Sequence, residues 1–219
     1  MDGVVNVSMA MKNKFDSLNI IPKSKSYCIY NRINIENIIL KSHCFNPYNS
    51  TIDRPILVTI GRLEPLKGTD RLLEIANQLH LAGLKFKWYF VGDGVLYDYC
   101  QKYILEHALV DKIILTGNQS NPYPYISNAD LCVSGSKAET FGLSIVESII
   151  LGIKVVAYRY DAINEIIDSS NGIVCNNYED IYQRLTEVIK SRGSFLNNKT
   201  NSVLMDYNEA NNRQIEVIK

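Results

Sequence analysis

The chain has 219 residues, of which 46% are hydrophobic and 21% charged, the composition of a globular protein with one large or two small domains. The 23 lysines and arginines balance the 23 aspartates and glutamates, so the formal net charge is zero. This balance argues against a nucleic-acid-binding domain, in which an excess of basic residues is expected. No apolar run of about 18 residues predicts a transmembrane helix, and the N-terminal residues lack the apolar core of a secretory signal. The five cysteines form no paired spacing, which favours reduced, buried thiols and a cytoplasmic location.

Residues 1–44 form the first predicted unit. Val4–Val7 reads as a short strand, Ser8 is a candidate cap for a helix that ends at Ser17, and Tyr27–Tyr30 reads as a second strand. Two strands cannot cover a hydrophobic core, so this unit is too small to fold alone. The polar, proline-containing segment 45–54 that follows is the predicted linker.

From Pro55 onward, apolar runs alternate with segments of helical periodicity, which predicts a doubly wound parallel sheet in an α/β domain over residues 55–190. Residues 191–219 are polar, and we interpret them as a C-terminal tail that is helical in part. The predicted strands are 56–60, 86–91, 113–116, 131–134, 154–157 and 173–175. The predicted helices are 69–81, 97–105, 123–128, 142–151, 162–167 and 180–190.

The loop after the first of these strands carries positive charge. Ligands of such sheets bind at the carboxyl ends of the strands, and residues 61–69 bring Arg62 and Lys67 to the start of a helix, where the helix dipole already favours an anion. This arrangement suits a diphosphate. It is not a P-loop, because the order is Lys-Gly-Thr. The alternative, that both side chains are solvated loop charges, is equally compatible with this segment alone.

The loop and helix after strand 131–134 carry two carboxylates. Glu139 lies before the predicted helix start, where Gly142 gives access to a second anion site, and Glu147 lies about two turns further on. Carboxylates beside phosphate-binding elements suit sugar hydroxyls, from which they accept strong hydrogen bonds. Taken singly, each has a simpler interpretation, Glu139 as a capping acid and Glu147 as a solvated helix charge. The glycine pair in 92–94 predicts a tight turn and not a dinucleotide fingerprint.

Five motifs taken together, in their order and spacing, resemble glycosyltransferase family 4, whose members are retaining, nucleotide-sugar-dependent enzymes of the GT-B fold. The resemblance covers residues 4–190. It implies that 1–44 is the last βαβ unit of an N-terminal acceptor domain, that 45–54 is the interdomain linker, and that 55–190 is a Rossmann-like donor-binding domain. The motifs are G-R-L-x-x-x-K-G at 61–68, V-G-D-G at 91–94, L-T-G at 115–117, S-N-A-D at 127–130 and E-T-F-G-L-x-x-V-E at 139–147.

Roles for individual residues follow from the resemblance by position. Glu139 would be the catalytic residue and contact the donor sugar near its anomeric carbon, and Glu147 would bind the ribose hydroxyls. Arg62 and Lys67 would hold the donor diphosphate. The other implied donor-binding residues are Gly61, Asn118 near the base, and Phe141, Gly142 and Leu143 through their backbone N–H groups.

The resemblance also implies the substrates. The donor would be a nucleotide-diphosphate sugar, with UDP as the commonest donor nucleotide in the family. From the residues themselves we expect no cofactor or metal, because no D-x-D-like acidic pair ends a predicted strand and Arg62, Lys67 and a helix dipole can neutralise a diphosphate. The acceptor would be a glycan or a lipid-linked glycan held by the N-terminal domain, so this chain alone is expected to be inactive. The setting would be bacterial cell-surface polysaccharide synthesis, with peripheral contact at the cytoplasmic face of the inner membrane.

Two other functions remain open at this point. One is a nucleotide-sugar epimerase domain of the same fold, and the other is a non-catalytic module that binds nucleotide sugars. The run at 139–147 fits the transferase better than the epimerase. The binding module remains open because catalysis requires the acceptor half.

Overall fold

The computed structural model describes residues 3–48 and 54–191. Part of the predicted linker at 45–54, and nearly all of the predicted tail at 191–219, therefore lie outside the described residues. The described part begins with four elements: β1 (Val4–Asn6), α1 (Met9–Ser17), β2 (Ser26–Cys28) and α2 (Ile35–Ser42).

The first three elements form the predicted strand–helix–strand unit. β1 and β2 pair in parallel, and the Ser8 hydroxyl accepts a hydrogen bond of 3.2 Å from Met11 N at the start of α1, as the sequence predicts. The second strand was predicted too far along the chain, at Tyr27–Tyr30, whereas it begins at Ser26 and ends at Cys28.

The helix α2 was not predicted. The signal for it is Asn34, whose side chain caps the helix by accepting a hydrogen bond from Asn37 N. α2 packs against two later helices, and side chains from that region satisfy its last carbonyls: Asn121 donates to Lys41 O and Ser127 to Ser42 O. Tertiary packing therefore supports this helix, which is too short to be stable alone.

The remaining elements alternate as predicted, with boundaries that differ by one or two residues. The predicted helix at 162–167 is the exception, because only a single 3₁₀ turn forms, at Ile163–Glu165. The elements are β3 (Ile56–Ile60), α3 (Thr69–Leu81), β4 (Lys87–Val91), α4 (Tyr97–Glu106), β5 (Ile113–Gly117), α5 (Tyr123–Ser127), β6 (Leu131–Ser134), α6 (Leu143–Ile150), β7 (Val155–Tyr158), β8 (Gly172–Cys175) and α7 (Tyr178–Lys190).

These strands form one six-stranded, fully parallel sheet in the order β5-β4-β3-β6-β7-β8. The chain runs outward from β3 to β5, then returns to the other side of β3 and runs outward again from β6 to β8. This confirms the predicted doubly wound parallel sheet. The direction reverses between β3 and β6, so the loops that follow these two strands diverge and leave a crevice at the carboxyl edge.

The core lies on both faces of the sheet, because adjacent strand residues point to opposite sides. Leu57 packs in the cluster under α3, α4 and α7, and its neighbour Val58 packs in the cluster under α2, α5 and α6. Trp88, the single tryptophan, is fully buried in the first cluster, and its indole N–H donates a hydrogen bond of 3.0 Å to Thr59 Oγ1.

All five cysteines are free, and four of them are buried. The prediction of buried thiols is wrong for Cys44, which is exposed because it lies beyond the end of α2 at the surface. Within 3–48 and 54–191, none of the helices has the length and apolar character needed to cross a bilayer.

The Glu165 carboxylate joins the N-terminal unit to the sheet domain. Its two oxygens accept hydrogen bonds from Met9 N at 2.9 Å and Ala10 N at 2.8 Å, at the start of α1, and from the Tyr30 hydroxyl at 3.0 Å. A carboxylate at a helix N-terminus is favoured both by the free N–H groups and by the helix dipole. This one side chain therefore satisfies three donors of the N-terminal unit.

Replacing Glu165 by alanine should lower the free energy of unfolding by about 1–3 kcal/mol, because hydrogen bonds to a charged group are lost and the α1 donors lose their partner. Urea unfolding followed by circular dichroism measures this change. The control is Asn164→Ala, which alters an exposed residue of the same turn. Equal stability of the two variants would contradict the role assigned to Glu165.

Candidate functional site

The crevice between β3 and β6 is bordered by two loops, the β3 loop (residues 61–68) and the β6 loop (residues 135–142). The two are in direct contact: Lys137 N donates a hydrogen bond of 3.0 Å to Leu66 O. Both loops lead into helices, α3 and α6, so two helix N-termini face the same edge of the sheet. This is the place in a doubly wound sheet where an anionic ligand is expected.

The contact between the loops depends on Gly68, which precedes α3 in the left-handed conformation with φ of +68°. A Cβ atom there would lie 2.2 Å from Gly135 O and 2.6 Å from the Tyr178 Oη atom. The Tyr178 hydroxyl also donates a hydrogen bond of 2.9 Å to Gly135 O. The backbones of the two loops can approach this closely only because Gly68 has no side chain.

The β3 loop is held on its other side by the β4 loop (residues 92–96). Leu63 N donates to Asp93 O at 3.0 Å, and Leu96 N donates to Leu63 O at 2.9 Å. A Cβ atom on Gly92 would lie 2.0 Å from Gly61 O. The predicted turn at 92–94 therefore also clamps the β3 loop, a role that its glycine pair did not reveal.

An ion pair spans the crevice between the β3 and β6 loops. Lys67 Nζ lies 2.6 Å from Glu139 Oε1, and the two side chains are 24% and 18% exposed. Arg62 is placed differently. Its Nη2 atom lies 3.1 Å from Glu64 Oε1, and its side chain is 73% exposed. Lys67 is thus fixed inside the crevice, whereas Arg62 extends into solvent at its rim.

We call the space around this ion pair the charged cleft. Ser144, in the first turn of α6, lines it together with Lys67 and Glu139, so the start of α6 reaches the same cleft. The first-turn amides of a helix lack intrahelical partners and can donate to an anion. The residues lining the charged cleft include Thr59, Gly61, Arg62, Lys67, Ser134, Glu139 and Ser144.

The backbone at the start of α6 is fixed by Tyr160. Its hydroxyl donates a hydrogen bond of 2.9 Å to Phe141 O and lies where a Cβ on Gly142 would be. Phe141 is buried, and its ring lies 5.7 Å from that of Tyr30 in the N-terminal unit. Leu143 begins α6 and is 45% exposed.

Glu147 lies one turn further along α6 and is half-buried. The Tyr123 hydroxyl, from the start of α5, donates a hydrogen bond of 3.2 Å to Glu147 Oε1. Burial raises the pKa of Glu147, and the hydrogen bond from Tyr123 opposes that rise. Glu139 and Glu147 therefore differ in their partners, a lysine for the first and a tyrosine for the second.

A second cleft of about 430 Å³ opens beside the charged cleft, at the carboxyl ends of β3, β4 and β5. Gly61 and Arg62 line both clefts, so the two are continuous along the β3 loop. Its walls include Gly61, Arg62, Asp93, Asn118, Gln119 and Pro122. These walls combine apolar side chains such as Ile60 and Val91 with the polar side chains of Asp93, Asn118 and Gln119, a mixture that suits a planar group with hydrogen-bonding edges.

The structure places every predicted site residue at the carboxyl edge of the sheet or on α6. Sequence reasoning missed Asp93 and Gln119 in the second cleft, and the tyrosines at 123, 160 and 178 that hold the site. The tyrosines gave no signal, because their partners are distant in sequence. Among the described residues, no group of three or more histidine, cysteine, aspartate or glutamate side chains is arranged to hold a metal ion.

The family model described as "Glycosyl transferases group 1" matches residues 44–204. The chain belongs to this family. This confirms the prediction, made from its five motifs, that the chain is related to glycosyltransferases. Among curated relatives, the chain is 26% identical over 186 residues to the poly(ribitol-phosphate) alpha-N-acetylglucosaminyltransferase of Staphylococcus aureus, covering 82% of this chain and 38% of that protein. It is 31% identical over 125 residues to the alpha-D-kanosaminyltransferase of Streptomyces kanamyceticus, covering 56% and 32%. The chain thus spans well under half the length of these relatives.

Solved structures of the same fold include glycosyltransferases with bound nucleotide. A Staphylococcus aureus TarM variant in complex with fondaparinux, alpha-GlcNAc-glycerol and UDP matches with a TM-score of 0.70 at 23% identity, over 98% of this chain and 40% of that one. Anabaena HepE in complex with UDP-glucose matches with a TM-score of 0.77 at 18% identity, over 99% and 63%. At these identities the likeness shows only the fold, that of the C-terminal half of a GT-B glycosyltransferase.

Replacing Gly68 by alanine should destabilise the chain by more than the cost of placing an alanine in the left-handed backbone conformation. That cost is about 1 kcal/mol, and the clash with the β6 loop should add about 2 kcal/mol or more. Gly83→Ala is the matched control, because Gly83 has a φ of +72° and open space around its Cβ position. Chemical unfolding of the two variants measures the difference, and a Gly68→Ala chain as stable as Gly83→Ala would refute the packing argument.

Proposed function

We propose that this chain is the donor-binding half of a retaining glycosyltransferase that binds a UDP-sugar and transfers the sugar to a glycan or lipid-linked acceptor. The observation that carries this proposal is the Lys67–Glu139 pair at 2.6 Å, placed beside the first turn of α6 at the reversal of strand order. One cleft there offers both a cation for a phosphate and a carboxylate for hydroxyls.

The donor would lie along the β3 loop across both clefts. Its diphosphate would bind Lys67, Arg62 and the first-turn amides of α6, at Gly142 and Leu143, where the helix dipole adds to the two side-chain charges. Asn118 in the second cleft would lie near the base, and Glu147 would bind the ribose. The crystal structures of similar fold that contain UDP or UDP-glucose support the choice of base.

Glu139 would contact the sugar, since it lies in the same cleft as Lys67 and Arg62, the proposed ligands of the diphosphate. Departure of the sugar leaves negative charge on the diphosphate, and a cation held in place stabilises this charge as it develops. Lys67 is held in place by Glu139 before any ligand arrives. Glu139 would thus orient the Lys67 ammonium toward the leaving diphosphate, while its own carboxylate stays close to the sugar hydroxyls.

The acceptor side would be supplied by an N-terminal domain of which residues 1–44 form the last unit. The two-stranded sheet of β1 and β2 supports this, because two strands alone are too few for independent stability. Two relatives carry such acceptors in their names, poly(glycerol-phosphate) in one and a diphospho-undecaprenol-linked sugar in the other. A lipid-linked acceptor would bring the whole protein to the cytoplasmic face of the inner membrane.

Replacing Lys67 or Arg62 by alanine should weaken UDP binding by about 1.5–3 kcal/mol and uridine binding by much less, because the lost charge acts on phosphate. The loss should be larger for Lys67, which is fixed in the cleft, than for the exposed Arg62. Calorimetric titration of each variant with UDP and with uridine measures both effects.

The matched control is Lys137→Ala, which removes an exposed lysine from the β6 loop. It should leave both affinities close to those of the wild-type chain. Equal losses for UDP and uridine in Lys67→Ala would contradict the phosphate assignment. A folded wild-type chain that binds no nucleoside diphosphate would contradict the proposed donor site as a whole.

Binding of UDP should not require a divalent metal, because two basic side chains and the dipole of α6 can neutralise the diphosphate. Titration of the chain with UDP in EDTA and in excess Mg²⁺ or Mn²⁺ should give affinities within about twofold, a difference of under about 0.5 kcal/mol. Loss of binding in EDTA that either metal restores would show that a cation belongs to the site.

A further inference from the structure

The contact between Tyr123 and Glu147 joins α5 to α6 beside the second cleft. The Tyr123 hydroxyl donates to Glu147 Oε1 at 3.2 Å, and both side chains are half-buried. Pro122, the residue before Tyr123, lines the second cleft together with Asn118 and Gln119. Tyr123 thus directly follows a residue that lines the space in which the nucleoside is proposed to lie, and its hydroxyl reaches Glu147.

The position of Tyr123 is fixed by the backbone around it. Pro122 is the N-cap of α5, and Tyr123 N donates to the Asn121 side-chain oxygen at 3.4 Å. The same Asn121 side chain donates to Lys41 O at the end of α2, at 2.9 Å. The start of α5 is thereby attached to a neighbouring helix, which limits the movement of the tyrosine ring.

The carboxylate of Glu147 lies among neutral groups. Within the described residues it forms no ion pair with a lysine, arginine or histidine. The titratable groups that face it are the Tyr123 hydroxyl from α5 and the Cys132 thiol from β6. Burial raises the pKa of Tyr123 and raises that of Cys132 to about 11, so both stay protonated near neutral pH. The tyrosine hydroxyl is therefore the group that favours the ionised form of Glu147.

We infer that Tyr123 is a positioning residue of the nucleotide site, whose hydroxyl fixes the Glu147 carboxylate in the orientation that receives the ribose. This inference rests on the proposed function, in which Glu147 binds the ribose hydroxyls. A carboxylate has about four acceptor positions on its two oxygens, and the tyrosine occupies one of them. The others remain available to ribose, and the carboxylate loses less side-chain entropy on binding because it is already held.

The experiment compares UDP with 2′,3′-dideoxy-UDP in the 219-residue chain and in Tyr123→Phe. The wild-type chain should prefer UDP by about tenfold or more, the effect expected of hydrogen bonds from ribose to a carboxylate. Tyr123→Phe should reduce this preference to about threefold or less at about pH 6, and less severely at about pH 8. The affinity for the dideoxy ligand should stay within about twofold, a change of under about 0.5 kcal/mol.

The pH dependence distinguishes a positioning role from a structural one. Without the hydroxyl, the already raised pKa of Glu147 should rise further, so the carboxyl takes up a proton at a higher pH as the solution is acidified. The preference for UDP should then disappear at a higher pH in Tyr123→Phe than in the wild-type chain. Carbon NMR of the Glu147 carboxyl in the ligand-free chain measures the same shift directly.

The matched control is Tyr125→Phe, which removes a hydroxyl from the same short helix; the ring of Tyr125 packs against Phe45 and Tyr48, away from the Glu147 contact. It should preserve the preference for UDP and its pH dependence. An unchanged preference in Tyr123→Phe, or an equal loss for both ligands, would overturn this inference alone. A folded wild-type chain that binds neither ligand would overturn the proposed function and this inference together.

Discussion

The close approach of three loop backbones at the carboxyl edge of the sheet is the constraint on which the site depends. The β3 loop passes between the β4 and β6 loops, and there is no room for a Cβ at Gly68 or Gly92. This contact brings Lys67 on one loop to Glu139 on the other. The charged cleft thus depends on glycine at these loop positions, because the close backbone contact places the two charged side chains next to each other.

The two glutamates of the candidate site have different partners. Glu139 lies in a cleft with Lys67, whereas Glu147 accepts a hydrogen bond from the Tyr123 hydroxyl. Burial raises the pKa of Glu147, and the hydrogen bond from Tyr123 is the contact that opposes this rise. The helix α6 and the loop before it therefore present two carboxylates in different chemical surroundings.

Much of this arrangement could be predicted from the sequence, because its causes are local. Apolar runs such as Ile56–Ile60 define the buried strands, and the residues that follow each strand define the ligand edge. What could not be predicted depends on contacts between distant residues. The helix α2 is stabilised by packing against α5 and α6, and the hydroxyl of Tyr160 meets Phe141 only in the folded chain. The exposure of Cys44 has the same origin, since it depends on where α2 ends.

The hydrogen bonds to the Glu165 carboxylate limit how the N-terminal unit can move against the sheet. The Tyr30 hydroxyl donates to Glu165, and the Tyr30 ring lies against the ring of Phe141 in the loop before α6. Any rotation of β1, α1 and β2 away from the sheet must break three hydrogen bonds to one carboxylate and separate these rings. A displacement of the N-terminal unit would therefore be transmitted to the loop before α6, and Glu165 accepts the three hydrogen bonds that oppose it.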